Sequence, residues 1–153
     1  HEDRVNQLAN HWNARVATLG GYIRDDIRRF CTKRKIQTIE TWDNRSWFRF
    51  GNYKWGHGTL FGVNYLKDSA RAFGNCVVVH AHHPGIATAD RDHGVRALSP
   101  GCLRTIDSAG YAKARRATLG WGLGFVWGEY NDKEAVLWLH SQPTGQKEWR
   151  LPV

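Results

Sequence analysis

The sequence predicts an α/β fold of mostly β character, and three observations support this prediction. Residues 77–79 form a short β-branched run between two glycine-containing turns, which is typical of a buried strand rather than of a helix. A second short strand is predicted immediately before His57. Between them, apolar residues recur with helical period over 60–73. This succession indicates a parallel pair of strands with a crossover helix, and open α/β sheets bind ligands at the carboxyl ends of such strands.

The first 34 residues of the chain are predicted to form two helices. Apolar residues recur at intervals of three and four from Val5 to Val16, which predicts one amphipathic helix over 2–16. The glycine pair at 20–21 interrupts this pattern, and a second helix is predicted over 22–34. The second helix and its end carry a basic cluster formed by Arg24, Arg28, Arg29, Lys33, Arg34 and Lys35. This cluster is either a solvated helix face or a surface that contacts nucleic acid.

The remaining segments are predicted to be short strands joined by polar turns. Their predicted bounds are 36–42, 47–50, 86–89, 95–98, 122–130, 135–140 and 148–151. The first two are expected to form a hairpin, and the polar turn at 90–94 joins the next two. A tight turn is predicted at 99–101, and a polar connection with a second basic cluster at 109–118.

Length and composition suit a single domain spanning residues 1–153. Of the 153 residues, 41% are hydrophobic, and they include eight Trp, so a sizeable core is available. The three cysteines lack Cys-x-x-Cys spacing, which argues for free thiols rather than for disulfides or a zinc-thiolate site. The charged N-terminus does not match a signal peptide, and no stretch of 18 apolar residues occurs. The expected protein is soluble and intracellular, without a membrane partner.

The formal net charge of +8, with an isoelectric point near 9.8, predicts a polyanionic partner. A basic surface attracts phosphate-rich polymers and steers their approach. DNA or RNA is therefore the leading expectation for a macromolecular partner, without any implication of sequence specificity.

Histidines provide the most specific chemical signal in the chain. His80 and His82 directly follow the predicted strand and are two residues apart, so in an extended chain they project from the same face. His57 ends the neighbouring predicted strand between two glycines, which allow the backbone to approach a ligand. Imidazole nitrogens in such a group are good ligands for transition metals. His11, His93 and His140 have no partner at ligand spacing and are expected to be ordinary histidines.

The order of these motifs resembles the second half of the calcineurin-like metallophosphoesterases, particularly their phage and prophage branch. The resemblance is carried by Trp-Gly-His-Gly at 55–58, Val-Val-Val-His-Ala-His-His-Pro at 77–84 and Ser-Pro-Gly-Cys-Leu at 99–103. His1 and Glu2 are similar to the end of that family's Gly-Asn-His-[Asp/Glu] motif. The implied fold is the C-terminal half of a four-layer metallophosphoesterase β-sandwich flanked by helices. The implied location is the cytoplasm of a bacterium or of a phage-infected host.

The resemblance also implies a mechanism, which is hydrolysis of a phosphoester at two divalent transition-metal ions such as Mn, Fe, Zn or Ni. His57 and His80 would bind one ion and His82 the other. His1 would be the general acid that protonates the leaving group, and Glu2 would orient it. His83 and Arg4 would contact the substrate.

The sequence departs from the family pattern at its carboxylates. It contains no Gly-Asp pair, so the family's Asp-x-His and bridging-aspartate motifs are missing, and Val79 replaces the glycine of Gly-His-x-His. We therefore expect a preceding segment or a second chain to complete the site. Two alternatives remain open: a non-catalytic module that binds nucleic acid or assembles into virions, and a single-metal hydrolase that uses only the histidines.

Overall fold

A computed structural model describes residues 2–37, 47–89, 94–103, 120–142 and 148–149. The chain divides into two compact units, residues 1–46 and residues 47–153. The elements in chain order are α1 (Glu2–Ala9), α2 (Ala14–Lys33), β1 (Phe48–Phe50), β2 (Tyr53–Gly56), α3 (Tyr65–Phe73), β3 (Cys76–Val78), β4 (Pro84–Thr88), β5 (Arg96–Pro100), β6 (Gly124–Tyr130) and β7 (Ala135–Ser141). The protein is therefore mixed α/β, as the sequence predicts.

The first unit contains two helices that meet near residues 10–13, so the prediction of one helix over 2–16 is wrong. The cause is a helix cap at Asn13, whose side-chain oxygen accepts hydrogen bonds from the backbone N–H groups of Arg15 and Val16. A cap of this type satisfies N–H groups that have no partner in the first turn of a helix, and it fixes the start of α2.

The glycine pair does not end a helix, which corrects a second prediction. Helix α2 runs through Gly20 and Gly21 without interruption. A Cβ atom added to Gly20 would overlap the backbone of Leu8 and Ala9, so this glycine allows the two helices to pack backbone against backbone. The propensity cost of a glycine inside a helix, about 1 kcal/mol, is thus offset by the close packing that it permits.

The second unit is built on a five-stranded sheet with the order β1-β2-β3-β5-β4. Strands β2, β3 and β5 are mutually parallel, whereas β1 and β4 pair antiparallel at the two edges. The predicted parallel pair joined by a crossover helix is confirmed as β2, α3 and β3. Strands β6 and β7 form a separate antiparallel sheet of two strands.

Strand β3 is buried on both of its faces. Cys76 and Val78 belong to a core that also contains Tyr65 and Ala70 of helix α3. Val77 points the other way, into a second core with Leu98 of β5 and apolar residues of the β6–β7 hairpin. The helix therefore covers one face of the sheet and the hairpin covers the other, which explains why the strand has a continuous apolar sequence.

Two polar contacts hold the layers of this unit in register. The side-chain oxygen of Asn52, in the turn between β1 and β2, accepts a hydrogen bond of 3.0 Å from the Ala135 N–H at the start of β7. The Lys54 ammonium donates a hydrogen bond of 2.7 Å to the carbonyl of Phe73, the last residue of α3. A positive charge at this position also interacts favourably with the helix dipole.

Several predicted boundaries shift by a few residues. Helix α3 begins at Tyr65 rather than near residue 60, and β5 continues through Pro100, so the turn after it occurs at Gly101 (φ 83°). Residues 36–37 and 148–149 are not in strands. The other residues of the predicted strands 36–42 and 148–151 lie outside the described residues, as do the turn residues 90–93, the connection at 109–118 and His93.

The cysteines are free thiols, as predicted. Cys76 is buried in β3, and burial raises the pKa of its thiol to about 12 although the positive charge of Lys54 opposes this shift. A thiol with such a pKa is protonated at neutral pH and is unreactive. Among the described residues, no helix combines the length and the apolar character needed to cross a bilayer.

Truncation of Leu98 tests the second core. Leu98 is 2% exposed, and we expect Leu98→Ala to lower the free energy of unfolding by about 2–5 kcal/mol because it leaves a cavity between the two sheets. Its cross-strand partner Ile86 is 51% exposed and provides the matched control. Urea denaturation of Ile86→Ala should show a change within about 0.5 kcal/mol. Equal losses in both variants would contradict the assignment of Leu98 to a core.

Candidate functional site

The carboxyl ends of β2 and β3 bring His57 and His80 into contact. Gly56 and Val78 are paired in the parallel ladder, and each histidine follows its strand within two residues. The carbonyl oxygen of His57 accepts hydrogen bonds from the N–H groups of Val79 (3.1 Å) and His80 (2.9 Å), which prolongs the contact between the two chains beyond the strands. The Nδ1 atoms of the two imidazoles lie 3.2 Å apart, and the ring planes make an angle of 70°.

The distance between the two Nδ1 atoms suits a shared metal ion. Two nitrogen ligands on one tetrahedral zinc ion, each about 2.0–2.1 Å from it, lie about 3.3 Å apart. In the protein without metal, His57 Nδ1 also lies 3.2 Å from the Gly58 carbonyl oxygen. Which of the two facing nitrogens carries the proton depends on the tautomers of the rings. An ion held by this pair of atoms would take the place of that proton.

Gly58 allows the chain to turn directly after His57. Its φ angle is 89°, and a Cβ atom there would lie 3.0 Å from Cβ of Val78 and 3.9 Å from Cβ of His80. A larger residue would therefore be strained and would also press on the strand that carries the second imidazole. The structure therefore requires a glycine directly after His57, at the carboxyl ends of β2 and β3.

The surroundings of His80 favour the neutral form of its imidazole, although the residue is exposed. Burial lowers the pKa of His80, and the nearby imidazoles of His57 and His82 lower it further because a second positive charge is unfavourable there. His82 is therefore close enough to His80 to affect its ionisation. Neutral imidazole is the form that binds metal, so the environment favours the state needed for coordination.

His82 adopts a backbone conformation that is uncommon for a residue with a side chain. Its φ angle is 55°, in the left-handed region, which costs of order 1 kcal/mol or more. Two hydrogen bonds hold this turn: Gly122 N–H donates to the His82 carbonyl (3.0 Å), and the hydroxyl of Tyr65 donates to the His83 carbonyl (3.1 Å). Burial raises the pKa of Tyr65, which keeps its hydroxyl protonated and able to donate.

The ring of Trp121 packs on the ring of His82 at a centroid distance of 4.8 Å. The segment that carries Trp121 is tied to the end of β5, since Cys102 N–H donates to the Gly122 carbonyl at 3.0 Å. Gly101 permits this approach, because a Cβ atom there would overlap the Gly122 carbonyl. Trp121 was not predicted from the sequence, although the flanking Gly120 and Gly122 repeat the glycine-flanked arrangement of His57.

The structure describes only one of the other predicted site residues in full. His83 is exposed, and its ring lies against Gly120. His1 and the side chains of Glu2 and Arg4 lie outside the described residues, so their roles remain predictions.

Two of the histidines expected to be ordinary have local structural contacts. The Nδ1 atom of His11 accepts a hydrogen bond from the Asn13 N–H at the start of α2. The ring of His140 packs against Phe125 and Trp149.

Within the part of the chain that the structure describes, no group of three or more His, Cys, Asp or Glu side chains is arranged to hold a metal ion. The described residues therefore supply a converging pair, His57 and His80, with His82 nearby.

Comparison with known proteins adds no relative, because no family model, no curated protein and no solved structure matches this chain.

The pKa of His80 provides a test of the imidazole cluster. We expect NMR titration of the metal-free protein to place the pKa of His80 below the ordinary value for histidine, and His57→Ala to raise it because a neighbouring charge is removed. His80 stays partly buried in that variant, so its pKa should rise only part of the way to the ordinary value for histidine. His140→Ala, far along the chain, should leave the value unchanged. A pKa of His80 at or above the ordinary value for histidine would contradict its partial burial beside His57 and His82.

The same shift predicts how stability depends on pH. The unfolded chain takes up a proton on His80 at a higher pH than the folded chain does. The free energy of unfolding, measured by urea denaturation, should therefore fall as the pH decreases through the ordinary pKa of histidine. The loss due to His80 should level off below the pKa that His80 has in the folded protein.

Proposed function

We propose that the protein takes part in metal-dependent hydrolysis of phosphoesters, as a nuclease or phosphatase of the calcineurin-like type. The observation that carries this proposal is the 3.2 Å separation of the His57 and His80 Nδ1 atoms at the carboxyl ends of two parallel strands. The lowered pKa of His80 supports it, because a neutral imidazole is ready to coordinate. A segment or chain that supplies carboxylates would complete the site.

The proposed roles of His57, His80 and His82 are supported by their contacts, whereas those of His1, Glu2, Arg4 and His83 rest on the resemblance to the phosphoesterase family. His57 and His80 would hold one ion through their facing nitrogens, and His82, presented by its left-handed turn, would hold the second. Bound divalent ions would supply charge stabilisation for the phosphate and would activate the attacking water. His1 would protonate the leaving oxygen, with Glu2 orienting it, and His83 and Arg4 would contact the substrate.

The layered structure of residues 47–153 supports the finer fold assignment. The five-stranded sheet packs one face on α3 and the other on the β6–β7 hairpin through Val77, Leu98 and their neighbours. Sheet packed on sheet with a helix outside is the arrangement expected of half of a four-layer sandwich. We propose that the two sheets correspond to that half.

A nucleic-acid-binding module without catalysis is a second candidate, and the basic cluster of α2 favours it. Asp25 and Asp26 lie within ion-pair distance of Arg28 and Arg29 and offset part of the charge of the helix. Three consecutive basic residues, the last residue of the helix and the two that follow it (33–35), are exposed. This candidate predicts salt-sensitive binding to DNA that persists with a metal chelator. Loss of that binding on chelation would instead favour the metal site.

Metal content tests the histidine ligands directly. Protein purified without chelator should contain transition metal by elemental analysis. Each of the variants His57→Ala, His80→Ala and His82→Ala should lower metal affinity by about 10-fold or more, because loss of even a residue that hydrogen-bonds to a metal ligand lowers affinity by this factor. His140→Ala is the matched control, because it removes an imidazole that packs on aromatic rings instead. Metal content that is the same in all four variants would refute the assignment.

Loss of His1 separates catalysis from metal binding. In a chain that carries the completing segment, His1→Ala should slow turnover by about 10²–10⁴-fold while metal content stays unchanged. The loss should shrink for a nitrophenyl ester, whose leaving group hardly needs a proton. Wild-type rates on both good and poor leaving groups would remove His1 from the mechanism.

A further inference from the structure

An exposed phenylalanine lies beside the imidazole pair. The side chain of Phe61 is 73% exposed, yet its ring centroid lies 5.5 Å from that of His80, with 43° between the two planes. A ring that remains so exposed gains little from the hydrophobic effect, so core packing does not explain its position. Phe61 lies in the loop that leaves the carboxyl end of β2 and leads into α3.

The loop that carries Phe61 is shaped by two glycines. Gly58 and Gly62 have φ angles of 89° and 104°, in the region that favours glycine. A Cβ atom on Gly62 would meet nothing within 4 Å, so close packing does not require that glycine. Its conformation instead turns the chain at the loop tip, where the neighbouring Val63 is 100% exposed. The loop therefore has an exposed apolar tip beside the carboxyl ends of β2 and β3, where His57 and His80 lie.

A second aromatic ring lies against another histidine of the cluster, since Trp121 packs on His82 at 4.8 Å. The cluster thus combines neighbouring imidazoles with aromatic surface, in a chain of net charge +8. A ligand that matches these features carries a phosphate for the imidazole site and a flat, polarisable ring for the aromatic surface. Nucleobases have this second property, because every base has a π-face that stacks on aromatic side chains without regard to sequence.

We infer that Phe61 is a stacking platform for a nucleobase, so that the site takes base-bearing phosphoesters in preference to sugar phosphates. This inference rests on the proposed function, which places the phosphate at the imidazoles. The base is free to stack in a mononucleotide and in a single strand, whereas a duplex keeps its bases stacked on one another. The substrate class is therefore a nucleotide or single-stranded nucleic acid.

Binding measurements on the full chain with Mn²⁺ present test this inference, with adenosine 5′-monophosphate, ribose 5-phosphate, a short single-stranded oligonucleotide and the matching duplex as probes. The mononucleotide and the single strand should bind more tightly than ribose 5-phosphate and the duplex. Phe61→Ala should weaken both base-bearing probes by about 5- to 150-fold, the range of base–aromatic stacking, and should leave ribose 5-phosphate unchanged. Phe61→Trp should retain the preference, since it keeps an aromatic face.

Val63→Ala is the matched control, because it shortens another exposed apolar side chain of the same loop without removing a ring. It should leave all four affinities unchanged. Equal binding of the mononucleotide and ribose 5-phosphate, or equal losses in Val63→Ala and Phe61→Ala, would overturn the inference and leave the proposed function standing. Failure of every probe to bind, ribose 5-phosphate included, would overturn the inference together with the placement of a phosphate at the imidazoles of this chain.

Discussion

The structure of residues 47–153 depends on the burial of strand β3 from both sides. Cys76 and Val78 pack toward α3, and Val77 packs toward the hairpin, so a strand of three residues joins two cores. A strand with two apolar faces is stable only at the centre of a sheet, with one layer on each side. Its carboxyl end is then fixed between β2 and the parallel strand β5. The positions of His57 and His80, which follow β2 and β3, therefore depend on the burial of β3.

Hydrogen bonds to three backbone carbonyls position the candidate site. The His57 carbonyl accepts from two N–H groups of the following strand end, and the carbonyls of His82 and His83 accept from Gly122 and Tyr65. These bonds maintain the left-handed turn at His82, which would otherwise relax. Strain that is maintained in this way is frequent where side chains must point at a ligand. The fold itself therefore brings His57 and His80 into contact and fixes the backbone of His82.

The sequence was sufficient to predict what depends on local pattern and parallel topology. The β-branched run, the helical period of the crossover and the glycines around His57 together predicted two parallel strands that end in histidines. It failed where a tertiary contact overrides local propensity, as at Gly20, which the pattern assigned to a break but which serves a close helix crossing. The contact of Trp121 with His82 could not be predicted either, because it joins segments that are 39 positions apart and depends on the turn at Gly101. The exposed position of Phe61 in a loop was not predicted either, because the apolar period assigned residues 60–73 to a crossover helix.

The central claim is that His57 and His80 coordinate the same ion through nitrogens that already face each other. X-ray absorption spectroscopy of the protein loaded with one equivalent of zinc tests this claim most directly, because imidazole rings produce a distinct outer-shell scattering pattern. The account predicts at least two imidazoles on the zinc ion, with Zn–N distances of about 2.0–2.1 Å. It also predicts that this scattering falls in the double variant His57→Ala/His80→Ala. Zinc bound by oxygen atoms alone, or imidazole scattering unchanged in the double variant, would contradict it.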